Sequence, residues 1–232
     1  MKPASTAFRG RLDEVRDRIA RAAERCGRDP RQVLLVGVVK TVPLEVIAEA
    51  LALGLADLGE NRVQEAGTHI GALGRDAARW HMIGHLQRNK VGLAVEMFDR
   101  LHGLDSVELA EAASRRALAI RRRLSVLVEV NVSGEASKFG SAPEVLDPLI
   151  ERIAGMPGLA LDGLMTVGAR VARPEEARAG FARLRALRDR AESTLGLKLP
   201  ELSMGMSGDF EVAVEEGATM VRVGTALFGA RA

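Results

Sequence analysis

Short apolar segments alternate with longer amphipathic stretches along the whole chain, and no other feature restricts its folding as strongly. Eight such segments occur, at 33–39, 55–58, 80–83, 101–104, 124–132, 159–165, 199–203 and 219–223. The first reads Val33-Leu34-Leu35-Val36-Gly37-Val38-Val39 with no polar alternation. A strand of that kind is buried on both faces, as in a parallel sheet. Strands separated by helices pair in parallel through right-handed crossovers.

Helix signals fall between the strands. A first helix over 8–26 carries Leu12, Val15, Ile19, Ala22 and Cys26 on one stripe, with Gly27 just past its end. Pro43 opens a second helix that Gly54 closes, while Ser106, Pro143-Glu144 and Pro174-Glu175-Glu176 mark later starts. Eight repeats in 232 residues predict an α/β fold, a closed (β/α)8 TIM barrel with an extra N-terminal helix, as one domain over 1–232. The competing open doubly wound sheet lacks its marker, since no Gly-x-Gly-x-x-Gly follows the first strand and no linker divides the chain.

Composition narrows the function. Thirty-three basic and 31 acidic residues give a net charge of +2, interspersed as on a solvated surface. Only 115–123 is locally very basic, without Trp or Tyr interleaved. It reads as the end of an Arg-rich helix, and no nucleic-acid partner is expected. No apolar run is long enough to span a bilayer, and Met1-Lys2-Pro3-Ala4-Ser5 leads straight into a charged helix without a signal-peptide core. The lone Cys26, placed on an apolar stripe, predicts a buried thiol in a reducing compartment, hence a cytoplasmic protein. There is no tyrosine, which removes every mechanism that needs a phenol, and only five lysines stand against 28 arginines.

In a barrel, reactive groups sit at the carboxyl ends of the strands. The first strand ends in Lys40. A partly desolvated ammonium there has a lowered pKa and can form a Schiff base, although a solvated strand-end charge is the commoner role. The seventh strand ends in Ser203-Met204-Gly205-Met206-Ser207-Gly208-Asp209 and the eighth in Val223-Gly224-Thr225. Those two loops form the recurrent phosphate site of the fold, against the alternative of ordinary capped turns. Arg222 interrupts an otherwise apolar strand and therefore is ion-paired or faces a ligand cavity. Beside a pyridine nitrogen it would disfavour ring protonation.

Weaker candidates complete the survey. His81 and His85 are spaced as on a zinc helix, but Gly84 intervenes and the segment reads as strand and loop, so His81 is a pocket or core residue. Gly59-Glu60-Asn61 either orients a ligand or caps a helix, and Lys138 in Ser137-Lys138-Phe139-Gly140 either reaches the barrel mouth or lies in water.

These blocks together resemble the pyridoxal phosphate homeostasis proteins, small PLP-binding proteins related to the barrel domain of alanine racemase. The resemblance covers nearly the whole chain. It rests on Val38-Val39-Lys40-Thr41, Gly59-Glu60-Asn61 with Val63-Gln64-Glu65, Trp80-His81-Met82-Ile83-Gly84 with Leu86-Gln87 and Asn89-Lys90, and Asn131-Val132-Ser133 with Ser137-Lys138. It continues through Gly163-Leu164-Met165, Leu202-Ser203-Met204-Gly205-Met206-Ser207 with Asp209, and Met220-Val221-Arg222-Val223-Gly224-Thr225 with Phe228-Gly229.

The resemblance implies that Lys40 carries pyridoxal 5'-phosphate (PLP) as a Schiff base. It further implies that Ser203, Gly224 and Thr225, with Ser207 nearby, cradle the phosphate, that Arg222 faces the pyridine nitrogen, and that Asn61, His81 and Met165 line the pocket. The function implied is PLP buffering, delivery or regulation without established turnover, with PLP-dependent apo-enzymes as recipients; separately, a closed barrel needs no partner to complete its core, so a monomer is expected, with a dimer as the alternative. Val42 and Arg62 stand where relatives often have a second basic residue and a tyrosine associated with cofactor release. The alternatives are a PLP-dependent racemase or decarboxylase and a Schiff-base aldolase. A racemase of this kind uses a tyrosine and a second domain, whereas an aldolase has no use for an arginine at a ring nitrogen.

Overall fold

In the computed structural model the described residues are 3–135, 137–169 and 171–229. Met1 and Lys2, read above as part of a leaderless amino terminus, lie outside them.

All eight expected strands form: β1 (Leu34–Val38), β2 (Asp57–Glu60), β3 (Arg79–Met82), β4 (Arg100–Leu104), β5 (Leu124–Glu129), β6 (Leu159–Met165), β7 (Glu201–Ser203) and β8 (Met220–Val223). Each pairs in parallel with the next, and β8 closes on β1 with Leu34 opposite Met220 and Val36 opposite Arg222, giving a closed barrel. Closure leaves no unpaired edge. The apolar runs are buried on both sides because one face meets the barrel interior and the other the surrounding helices.

The helices are α1 (Pro3–Arg25), α2 (Leu44–Ala52), α3 (Val63–Leu73), α4 (Val91–Met97), α5 (Val107–Ala119), α6 (Leu146–Ala154), α7 (Arg178–Leu195), α8 (Phe210–Glu215) and α9 (Thr225–Phe228). Helix α1 is the addition to the eight repeats. Its Phe8, Leu12, Val15, Ile19 and Ala22 are buried, Phe8 stacks on Phe228 with centroids 5.3 Å apart, and Arg11 Nε donates to the Leu227 carbonyl at 2.6 Å. The extra helix thus braces α9, which follows the last strand.

Cys26 departs from expectation. Helix α1 ends at Arg25, Gly27 takes a left-handed φ of 70°, and Cys26 lies exposed in the turn. The buried stripe stops at Ala23 because the chain leaves the helix one residue before the sulfur would reach the core. No helix among the described residues is long and apolar enough to cross a membrane.

Candidate active site at the carboxyl ends of the strands

A cavity of about 740 Å³ opens at the carboxyl-terminal mouth, between the loops after β1, β7 and β8. Lys40, Ser207, Arg222, Gly224 and Thr225 all line it, together with Val38, Thr41, Met206 and Phe228. Five residues proposed from sequence, contributed by three separate loops and strands, therefore share one opening.

Local structure explains the position of each. The chain turns sharply after β1, and Thr41 adopts φ 62°. This left-handed conformation is costly for a β-branched residue. The turn follows directly on Lys40, and both residues line the cavity. At the other wall, Ser207 Oγ accepts hydrogen bonds from the backbone N–H groups of Gly224 and Ala226, each at 3.2 Å. Two backbone donors aimed at one oxygen are suited to an oxyanion. This strap rests against the first strand, since a Cβ built on Gly224 would lie 3.4 Å from that of Val38, in ordinary contact.

Arg222 forms the floor. It is 3% exposed, yet none of the ion pairs among the described residues includes it. Nη1 donates to Ser203 Oγ at 2.7 Å and Nη2 to the Thr166 carbonyl at 2.8 Å. Burial lowers its pKa to about 10, against the opposing pull of Glu129 and Asp209, so it stays cationic at neutral pH. Arg222 thus lines the cavity while making no direct ion pair among the described residues.

Four proposed residues lie elsewhere. Ser203 is fully buried, with its hydroxyl turned into the barrel toward Arg222 and His102 and away from the cavity lining. His81 also points inward, with Nδ1 2.9 Å from His102 Nε2 and Nε2 3.0 Å from Asp57 Oδ1, and lines a second cavity at the amino-terminal mouth. Met165 is buried inside the barrel with Leu127 and Met220. Asn61 occupies the loop after β2, pressed so closely on the next loop that a Cβ at Gly84 would lie 2.5 Å from its carbonyl oxygen.

The weaker candidates are also accounted for. His85 stacks on Phe139 with centroids 3.9 Å apart and lies 3.6 Å from Asp105, so it does not converge with His81. Glu60 is buried and pairs with His69 of α3 at 2.6 Å, a helix-to-strand tie. Lys138 Nζ reaches the Gly168 carbonyl at 3.3 Å and Glu135 at 2.8 Å.

Three buried polar residues were not anticipated. His102 is fully buried, and burial above all holds its pKa well below the usual value, so it is neutral. Asp57 joins His81 to Arg79. Glu129, at the end of β5, has an Oε2 with no hydrogen-bond partner, and burial, then Asp105, pushes its pKa up to about 7. The available signal was period-two alternation: Arg100 and His102 are two apart on β4, so one inward residue implies the other.

The barrel and this opening define a protein of the alanine racemase class. The family model "Alanine racemase, N-terminal domain" matches residues 11–232. A pyridoxal phosphate homeostasis protein of Aquifex aeolicus is 46% identical over 95% of this chain and 97% of its own length. One from Pseudomonas aeruginosa is 46% identical over 95% and 94%. Among solved structures, PipY of Synechococcus elongatus with PLP bound superposes with a TM-score of 0.84 at 35% identity, covering 96% of this chain and all of that one. The chain belongs to the pyridoxal phosphate homeostasis protein family.

Proposed function

We propose that the carboxyl-terminal cavity binds PLP on Lys40 and that the protein serves PLP homeostasis as a buffer, carrier or regulator. The observation that carries this reading is the convergence of Lys40, Arg222 and the Ser207–Gly224–Thr225 strap on one cavity. The solved PipY complex with PLP, at 35% identity, and the naming of the relatives support it.

The donor set fits the group. The N–H groups of Gly224 and Ala226, with the hydroxyls of Ser207 and Thr225, would hold the phosphate, because they offer donors to an anion in a confined space. Arg222 has only N–H donors, so it suits an unprotonated pyridine nitrogen. PLP supplies an aldehyde that condenses with an amine and a ring that withdraws electrons. Lys40 contributes that amine from the wall formed by the first strand. With Arg222 disfavouring ring protonation, the ring is a weak electron sink, which accords with holding the cofactor more than with turnover. The absence of tyrosine leaves no phenol for two-base racemisation. The reading includes a cytoplasmic monomer that hands PLP to PLP-dependent apo-enzymes.

The test is a visible spectrum of the purified protein with and without added PLP, followed by borohydride reduction and peptide mass spectrometry. A phosphopyridoxyl group on Lys40, absent from a folded Lys40→Ala variant, is the expected result. No adduct, or one confined to Lys2 or Lys198, would overturn it.

A further inference from the structure

A single chain of hydrogen bonds runs along the barrel interior from one mouth to the other. It begins at Asp57, whose carboxylate receives Arg79 at the amino-terminal mouth. It passes through His81 and His102 to Ser203 Oγ, 2.9 Å from His102 Nδ1, and ends at Arg222 in the wall of the carboxyl-terminal cavity. Each of its five members from Asp57 to Arg222 is at most 4% exposed.

The direction of every bond follows from the chemistry of the two ends. A guanidinium can only donate, so Ser203 Oγ accepts from Arg222 and its one proton is left for His102 Nδ1. His102, neutral in its burial, then carries its one proton on Nε2 and donates to His81 Nδ1. His81 in turn is protonated on Nε2 and donates to the Asp57 carboxylate, an acceptor only. The serine hydroxyl is thereby prevented from turning, and Arg222 has two fixed acceptors, Ser203 Oγ and the Thr166 carbonyl.

We propose that Asp57, His81 and His102 are positioning residues for Arg222, setting through Ser203 the direction in which its guanidinium meets the pyridine nitrogen. This rests on the reading of the cavity as a PLP site with Arg222 at the ring nitrogen. It extends that site through the barrel to residues that border the opposite mouth.

Two measurements test it. In the PLP-free protein with ¹⁵N-labelled histidine, NMR of the ring nitrogens should show His81 and His102 both protonated on Nε2 and unprotonated on Nδ1. A proton on His102 Nδ1 would overturn the chain, whatever the cavity binds. In the PLP-loaded protein, His102→Leu and Asp57→Leu should each shift the absorption maximum of the bound cofactor and weaken PLP binding by about tenfold. The double variant should fall short of the product of the two effects, as for residues in one network. His102→Asn, which keeps a polar partner for Ser203, should restore part of the wild-type spectrum and provides the test if the leucine variant does not fold. Folded variants that hold PLP with the wild-type spectrum and affinity would overturn the proposal. A wild-type protein that shows no bound-PLP band would instead overturn the reading of the cavity, leaving the NMR result to judge the chain.

Discussion

Arg222 Nη2 donates to the backbone carbonyl of Thr166 at 2.8 Å, so this buried cation is held by a neutral acceptor where a carboxylate would be expected. A charge removed from water and not directly paired costs stability. Its retention at the cavity floor is understandable if its use is to meet a ligand.

Arg222→Met should therefore separate stability from binding. Removing the desolvated charge offsets the hydrogen bonds lost, and unfolding free energy should stay within about 1 kcal/mol of wild type or rise. The dissociation constant for PLP should increase by about tenfold or more. Urea unfolding and a PLP titration on the same samples check both, and an Arg222→Met protein that binds PLP normally would assign Arg222 a structural role.

Glu129 predicts a pH dependence. Its pKa in the fold, about 7, lies above the ordinary 4.5, so between these values the folded chain keeps a proton that the unfolded chain has released. Its contribution is neutral at acid pH and becomes unfavourable as pH rises through that window, reaching at most roughly 3 kcal/mol. Glu129→Gln cannot ionise. The variant should match wild type near pH 4 and exceed it near pH 8 in denaturant titrations, and identical curves at both would contradict the assignment.

Gly163 admits no side chain. A Cβ there would lie 1.9 Å from the carbonyl oxygen of Glu201 on the adjacent strand, and backbone on both sides cannot yield without opening the β6–β7 pairing. Gly163→Ala should cost more than about 3 kcal/mol or prevent folding, as read by circular dichroism and thermal unfolding.

Thr41 offers the opposite case. Its left-handed φ of 62° costs about 1–2 kcal/mol for a residue with a Cβ. Replacement by glycine relieves this while adding about 1 kcal/mol of unfolded-state freedom. Thr41→Gly should leave the melting temperature unchanged or slightly higher. A clear loss would show that the threonine side chain makes a contact that outweighs its strain.

How much of this was legible beforehand varies by residue. The segment 159–165 was read as a strand with its exact limits, because its apolar residues, broken only by Asp162 and Gly163, stand between two amphipathic helical stretches. Lys40, Gly224 and Thr225 were singled out because a barrel's topology brings strand ends to one mouth, and Arg222 because a charge interrupts the apolar run of the last strand. Ser203 was placed at the phosphate by its position in a small-residue loop, but it is the last residue of β7 and alternation turns its hydroxyl inward. Cys26 was placed in the core by extending a helical stripe one residue too far.

What the sequence determined by itself is local and periodic: eight strands, the helices between them, and which side chains stand at strand ends. These depend on hydrophobic repeat and on backbone punctuation by Gly and Pro, both readable over a few residues. Only the tertiary structure decided which interior polar groups meet. His102 and Ser203 are 101 positions apart, and they touch because closure of the barrel brings β4 and β7 across one narrow interior. The same closure strips water from Arg222, Glu129 and His102, so their unusual protonation behaviour arises from burial that no short stretch of sequence encodes.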